Sequence, residues 1–257
     1  MVRTSHRHRA PLAEASSAQL KHPACTPRDH LATRILVING NSSSHITSII
    51  RREAKLGALE VARVRCISCA NAPKLIQSRS DNMKSAAAML ALVKAGRKNY
   101  DAIVVAVSLD TAVQALRTIV QVPVIGMTQA AFLCAGVIGP RVGAVVFGKH
   151  LARTYRELFA KHVSPAARLV VLESRLVPTE VMSPERIDSH ILADLSGLVS
   201  RNHVDSIVIV GAALAGTARR LQPYCPVPLL DGISCGVLLA AAVRNASPPD
   251  SGPRRSS

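Results

Sequence analysis

YDAIVVAVSLDTAVQALRTIVQVPVIG (100–126) and VDSIVIVGAALAGTARRLQPYCPVPLLDG (204–232) decide the fold when laid over one another. Each places an aspartate ahead of an unbroken, β-branched apolar segment, loosens into small residues, passes a helix-like stretch and ends on a short apolar run behind a Val-Pro pair. Strand, loop, helix and strand in that order are the syntax of a parallel α/β sheet, in which strands buried on both faces need no polar alternation. From Asp101 to Pro123 and from Asp205 to Pro228 the two units differ by a single residue, and they lie about a hundred residues apart. Shared order and spacing of that kind indicate an internal duplication.

Working outward, the same syntax fills the rest of the chain. RILVIN (34–39) reads as a strand, and the serines of GNSSS as caps for a helix through ITSIIRREAKLG. LEVARVRCI (59–67) is the next strand and DNMKSAAAMLALVKAG (81–96) a long helix; DAIVVAV (101–107), a helix to Thr118 and VPVIGM (122–127) complete the first half. RVGAVVFG (141–148), LARTYRELFAKHV, ARLVVLE (167–173), ERIDSHILADLSGLVSRN, DSIVIVG (205–211), a helix to Leu221 and VPLLDG (227–232) repeat it. The expected architecture is α/β, with two pseudo-symmetric parallel-sheet, flavodoxin-like lobes, 34–133 and 134–244, facing across a cleft. The C-terminal helix is free in this reading to pack back on the first lobe. Residues 1–33 and 245–257, rich in proline, serine and basic residues, read as disordered tails.

Composition bounds the function classes. With 48% hydrophobic residues, no Trp, three Phe and three Tyr among 257 residues, the core must be aliphatic. Thirty-two Lys and Arg against sixteen Asp and Glu give a net charge of +16. The cations are spread along the chain, without zinc-ligand spacing or an aromatic platform for bases, so nucleic acid is not the expected partner. The longest apolar run, GVLLAAAV (236–243), is about half of the 18 to 20 residues a membrane span needs. Six scattered cysteines without a secretory signal read as reduced thiols. A cytoplasmic protein is expected, organellar targeting by the basic N-terminal tail being the alternative. Self-association is left open.

Ligands of parallel sheets collect at the carboxyl ends of the strands. The loops there are 39–44, 69–73, 107–110, 147–150 and 211–216. Asn39, Asn41, Ser42 and Ser43 combine side-chain donors with backbone N–H groups at a helix start, fit to cradle a carboxylate or imide carbonyl or simply to cap the helix. Ser108, Gly211 and Ala213 complete the ligand-facing set. Asp101 and Asp205 fall at the opposite end of the sheets, as turn or cap residues, and Asp231 reads as structural. Cys66 and Cys69 form a C-x-x-C that lacks both a helix start and further metal ligands. Cys134 sits on an apolar helix face, and Cys235 follows DGIS near the cleft edge.

These residues carry a resemblance. VINGNSSSHIT (37–47) resembles the opening V-I-N-P-N-T-S-x-x-M-T of hydantoin racemases, a branch of the aspartate/glutamate racemase superfamily. DAIVVAVSLDTAVQALR (101–117) is similar to their D-A-I-V-I-A-C-F-x-D-P-G-L-x-A-L-R, and PVIGMTQAA (123–131) to P-V-x-G-I-x-E-A-A. VIVGAALAGTARRL (208–221) resembles V-L-G-C-A-G-M-A-x-L-x-x-x-L, and VPLLDGISCGVLLA (227–240) resembles P-V-x-D-G-V-x-A-A-V-x-L-A. The likeness runs in order from about Arg34 to Arg244.

The resemblance implies cofactor-independent stereoinversion beside a carbonyl, on a small carboxylate or hydantoin-like ligand. One cysteine thiolate removes the α proton and a thiol of the opposite lobe returns one to the other face. The pattern fails at that pair: the first family cysteine aligns with Val107 and the second with Ala212. Gln129 stands at the family glutamate, and the G-P-x-x-I-E segment reads APKLIQ, with Ala72 and Gln77. Ser108, Asp110, Lys149, His150 and Cys235 are the candidates for a substitute acid or base. Three readings follow: a member that keeps the cleft and has lost two-thiol racemisation, an isomerase or decarboxylase with a changed acid/base, and a non-catalytic binding or scaffold protein.

Overall fold

The computed structural model describes residues 32–96, 100–148, 151–176 and 183–246, the side chain of Asn245 apart. Lys149 and His150, the chain up to residue 31 and the C-terminal tail from 247 lie outside these residues. Strands β1 (Thr33–Asn39), β2 (Ala62–Ser68), β3 (Ala102–Ala106) and β4 (Val124–Gly126) form one parallel sheet in the order β2-β1-β3-β4. Strands β5 (Arg141–Phe147), β6 (Arg168–Ser174), β7 (Ser206–Ile209) and β8 (Leu229–Asp231) form a second in the order β6-β5-β7-β8. The duplication is thus one of topology.

The same chemistry opens both sheets. The Arg34 N–H donates to Asp101 Oδ2 at 2.8 Å, and the Arg141 N–H to Asp205 Oδ2 at 2.8 Å. Each arginine side chain also pairs with its aspartate. These ion pairs are partly exposed and lie at the end of the sheets away from the cleft, so they fix strand ends more than they add stability.

Helices α1 (Ser44–Gly57), α2 (Arg79–Ala95), α3 (Val113–Arg117) and α4 (Met127–Ile138) alternate with the first strands, and α5 (Ala152–Ala160), α6 (Pro184–Asn202), α7 (Thr217–Leu221) and α8 (Gly232–Ala246) with the second. Ser43 caps α1, its Oγ accepting from the Ile46 N–H at 3.2 Å. Ser78 and Asp81 close a capping box that starts α2 at Arg79, ahead of the start expected at Asp81. β2 begins at Ala62, later than expected, because Leu59 and Glu60 turn the chain with φ of 43° and 66°. Thr33 already belongs to β1, and α8 extends past the expected boundary at 244 to Ala246.

Two helices exchange sheets. α4 follows β4 but packs on β5, β7 and α8; α8 follows β8 but packs on β1, β3 and α1. The division expected between residues 133 and 134 therefore falls inside a helix that bridges the lobes. Around the pair lies a continuous core in which Val37 and Val104 of the first sheet join Ala144 and Val208 of the second through Phe132 and Val237. Separate cores cover the outer faces, α2 and α3 over the first sheet and α6 and α7 over the second. The lobes share their largest core. Among the described residues no helix is long and apolar enough to cross a membrane, and no group of three or more His, Cys, Asp and Glu is placed to hold a metal ion.

Candidate functional site

A cavity of about 320 Å³ opens at the carboxyl ends of β1, β3, β5 and β7, with walls from both sheets. Its apolar lining includes Ile46, Leu75, Leu109, Phe147, Leu151 and Leu214. Val107 follows β3 and Ala212 follows β7, and both line this cavity, 6% and 8% exposed. The two equivalent loops thus bring the two positions to one space. The polar groups there are Asn41, Gln77, Asn82, Ser108 and Tyr155, and no Asp, Glu, Lys, Arg, His or Cys is among its described lining residues.

The first loop is a hydrogen-bonded knot. Asn39 Nδ2 donates to Asn41 Oδ1 at 2.8 Å and to Thr47 Oγ1 at 2.9 Å, while the Ser43 N–H donates to Asn41 Oδ1 at 2.9 Å. Asn39 is 1% exposed and fully occupied in shaping the turn; Asn41 alone of the four loop residues lines the cavity. Ser43 is spent on the α1 cap, and the Ser42 N–H donates to the Pro73 carbonyl at 3.0 Å. Of the remaining ligand-facing residues expected from sequence, Ser108, Gly211 and Ala213 line the cavity.

Tyr155, Asn82 and Leu176 are lining residues that the sequence did not single out. Tyr155 lies on the buried face of α5, where the helical period reads as core. Burial raises its phenol well above the usual range. It is a neutral donor at any physiological pH. Ser108 is held by its carbonyl, which accepts from Thr128 Oγ1 at 2.7 Å.

The candidate substitutes separate. Asp110 does not line the cavity: its carboxylate accepts the Thr128 N–H at 3.0 Å and the Gln129 N–H at 2.7 Å, capping α4. Burial pushes it up to about 7 against those two bonds and Arg117. The room for it comes from Gly126, where a Cβ would stand 2.2 Å from Asp110 Cγ. The second lobe reaches the same end in reverse, since Asp231 at the end of β8 accepts the Gly216, Ile233 and Ser234 N–H groups at 2.8, 2.8 and 3.2 Å. Burial, then the Glu53 charge, raises it to about 6. Cys235 is buried in the shared core and not at the cleft edge, and it does not line the cavity. Gln129 is turned away as well, its Oε1 accepting from Arg117 Nη2 at 3.0 Å.

The packing behind Val107 is close. A Cβ on Gly40 would stand 2.4 Å from Val107 Cγ2 and 2.6 Å from Ser85 Oγ, so the valine occupies room that any larger residue at 40 would claim.

The profile of the Asp/Glu/Hydantoin racemase family matches residues 35–240 of this chain. A hydantoin racemase of Rhizobium meliloti is 25% identical over 217 residues, covering 82% of this chain and 89% of its own. Among solved structures, the allantoin racemase from Klebsiella pneumoniae superposes with a TM-score of 0.75 at 24% identity, covering 83% of this chain and 88% of its own. The glutamate racemase from Thermus thermophilus superposes at 0.53 and 16% identity, with 84% and 81% covered.

Proposed function

The chain belongs to the Asp/Glu/Hydantoin racemase family, and from that premise we propose that it keeps the family's cleft as a binding site for a small hydantoin-like ligand and does not carry out two-thiol racemisation. The observation that carries this reading is the lining itself: the two positions where the resemblance places the thiols are Val107 and Ala212, and the described groups beside them are neutral. Abstraction of an α proton needs a base with a pKa near the working pH and an acid on the opposite face. Tyr155, raised by burial, is a donor and not a base.

The same lining selects among ligands. A free amino acid brings a carboxylate and an ammonium, and burying either without a counter-charge costs several kcal/mol. A hydantoin ring asks only for hydrogen bonds, which Asn41, Ser108, Gln77 and Tyr155 can supply.

The test uses the full-length protein with single enantiomers of 5-substituted hydantoins, allantoin, aspartate and glutamate in heavy water. Saturable binding of a hydantoin, with optical rotation and the α proton unchanged, is expected. A second reading is an isomerase or decarboxylase with a changed acid/base, and its support is that Ser108, alone of Ser108, Asp110 and Cys235, lines the cavity. Turnover that survives Cys235→Ala and is abolished by Ser108→Ala would put this second reading in place of the first.

A further inference from the structure

A second cavity, of about 160 Å³, adjoins the cleft, with Ile46 and Ala213 lining both. Ile49 of α1 with Pro184 and Ile187 of α6 give it an apolar wall. Its ionisable lining differs from that of the cleft. Arg52 and His45 reach it from α1, and Arg219 and Arg220 from α7; Glu53 is the one carboxylate among the described lining residues. That carboxylate is buried and has partners of its own, since it pairs with Arg219 and accepts from Ser234 Oγ at 2.8 Å.

The α7 arginines are held in place and keep donors to spare. Arg220 Nε and Nη2 donate to Asp188 Oδ2 and Oδ1 at 2.7 and 2.8 Å, and Nη2 also to Thr217 Oγ1 at 3.0 Å. Arg219 engages Glu53 through its own Nε and Nη2. Each guanidinium thus spends one edge on a carboxylate, which leaves its Nη1 for a further acceptor among the described residues' surroundings. Gly216 makes the room. It stands at φ of 86°, and a Cβ there would lie 3.3 Å from Arg219 Nη2 and 3.4 Å from Arg220 Nη1. Two guanidiniums therefore come up to the same stretch of bare backbone. Arg52, exposed on α1, makes no hydrogen bond or ion pair among the described residues.

We propose that this cavity is a binding site for a small oxyanion, the carboxylate or phosphoryl group of a small molecule, held by Arg52, Arg219 and Arg220 between α1 and α7. The volume suits a group of a few heavy atoms. Guanidinium forks already fixed by carboxylates lose little freedom on taking an oxyanion, and their hydrogen bonds to it are charge-assisted. Glu53 and Asp188 offset the charges of Arg219 and Arg220, and the exposed Glu185 of α6 also acts on Arg220. Arg52, in no ion pair, supplies the positive charge that an anion answers. An occupied site would join α1 of the first lobe to α7 of the second.

The full-length protein is titrated calorimetrically with inorganic phosphate and, separately, with acetate, chloride holding the ionic strength constant. Saturable binding of at least one is expected, and the tighter of the two tells a phosphoryl site from a carboxylate site. Arg52→Gln, which breaks no contact among the described residues, should weaken that binding about tenfold, the worth of one charge-assisted hydrogen bond. Arg153→Gln, on exposed α5, removes the same charge and should leave the affinity unchanged. The wild-type titration needs no variant to fold, and it is independent of any hydantoin in the cleft. Failure of both anions to bind the wild type would overturn the proposal. So would an affinity that Arg52→Gln leaves unaltered, or that Arg153→Gln lowers as much.

Discussion

Val107 fits where it stands because residue 40 has no side chain. In the family motif that Val37 to Thr47 resembles, proline occupies the place of Gly40, and cysteine the place of Val107. The sequence could be read for each departure separately, but not for their contact, which joins positions 67 residues apart only in the folded chain. Gly40→Ala, with its new Cβ 2.4 Å from Val107 Cγ2, is expected to cost about 1–3 kcal/mol of overpacking. Val107→Ala should relieve part of that cost, the Ser85 contact remaining, and a double-mutant cycle by urea denaturation measures the coupling. Asp110 makes a second prediction. A carboxyl raised to about 7 in the folded state, from about 3.9 unfolded, holds more protons in the native chain. Its contribution to stability is therefore complete below about pH 4 and lost as the pH rises through about 7. Asp110→Asn removes this titration, so from pH 4 to pH 7 the wild type should lose stability relative to the variant and then run parallel to it.

At the scale of elements, the succession of strands and helices along the chain was legible because the apolar runs and small-residue loops recur in both halves. The exchange of α4 and α8 was not. Both helices are largely apolar, and an element that is apolar over most of its surface does not declare which sheet it covers. The carboxylates capping them are partly legible: Asp231 reads as structural, whereas Asp110 reads as a candidate base and in the fold accepts from the Thr128 and Gln129 N–H groups. The position of Cys235 in the core rather than at the cleft follows from the same exchange, because α8 turns inward against the first sheet. Asp231→Ala would leave three N–H groups at the start of α8 and in the Gly216 loop without their acceptor. A loss of about 1–3 kcal/mol in thermal or urea unfolding is expected, since buried donors then lack partners.

For the molecule as a whole, the sheets are joined by a common core and by Glu53 of α1, which is 3% exposed, pairs with Arg219 of α7 and accepts from Ser234 Oγ at 2.8 Å. The cleft is thus an edge feature of one body, into which the loops after β3 and β7 deliver Val107 and Ala212. Under the proposed reading, the cleft is kept while Val107 and Ala212 stand where the resemblance places the two thiols. The most direct measurement is the rate of α-deuterium uptake and racemisation, in heavy water, of a single-enantiomer 5-substituted hydantoin by the wild type and by Val107→Cys, Ala212→Cys and the double variant. Racemisation by the double variant alone, with the wild type at background, is the expected result. Racemisation by the wild type at a rate the double variant does not exceed would contradict it.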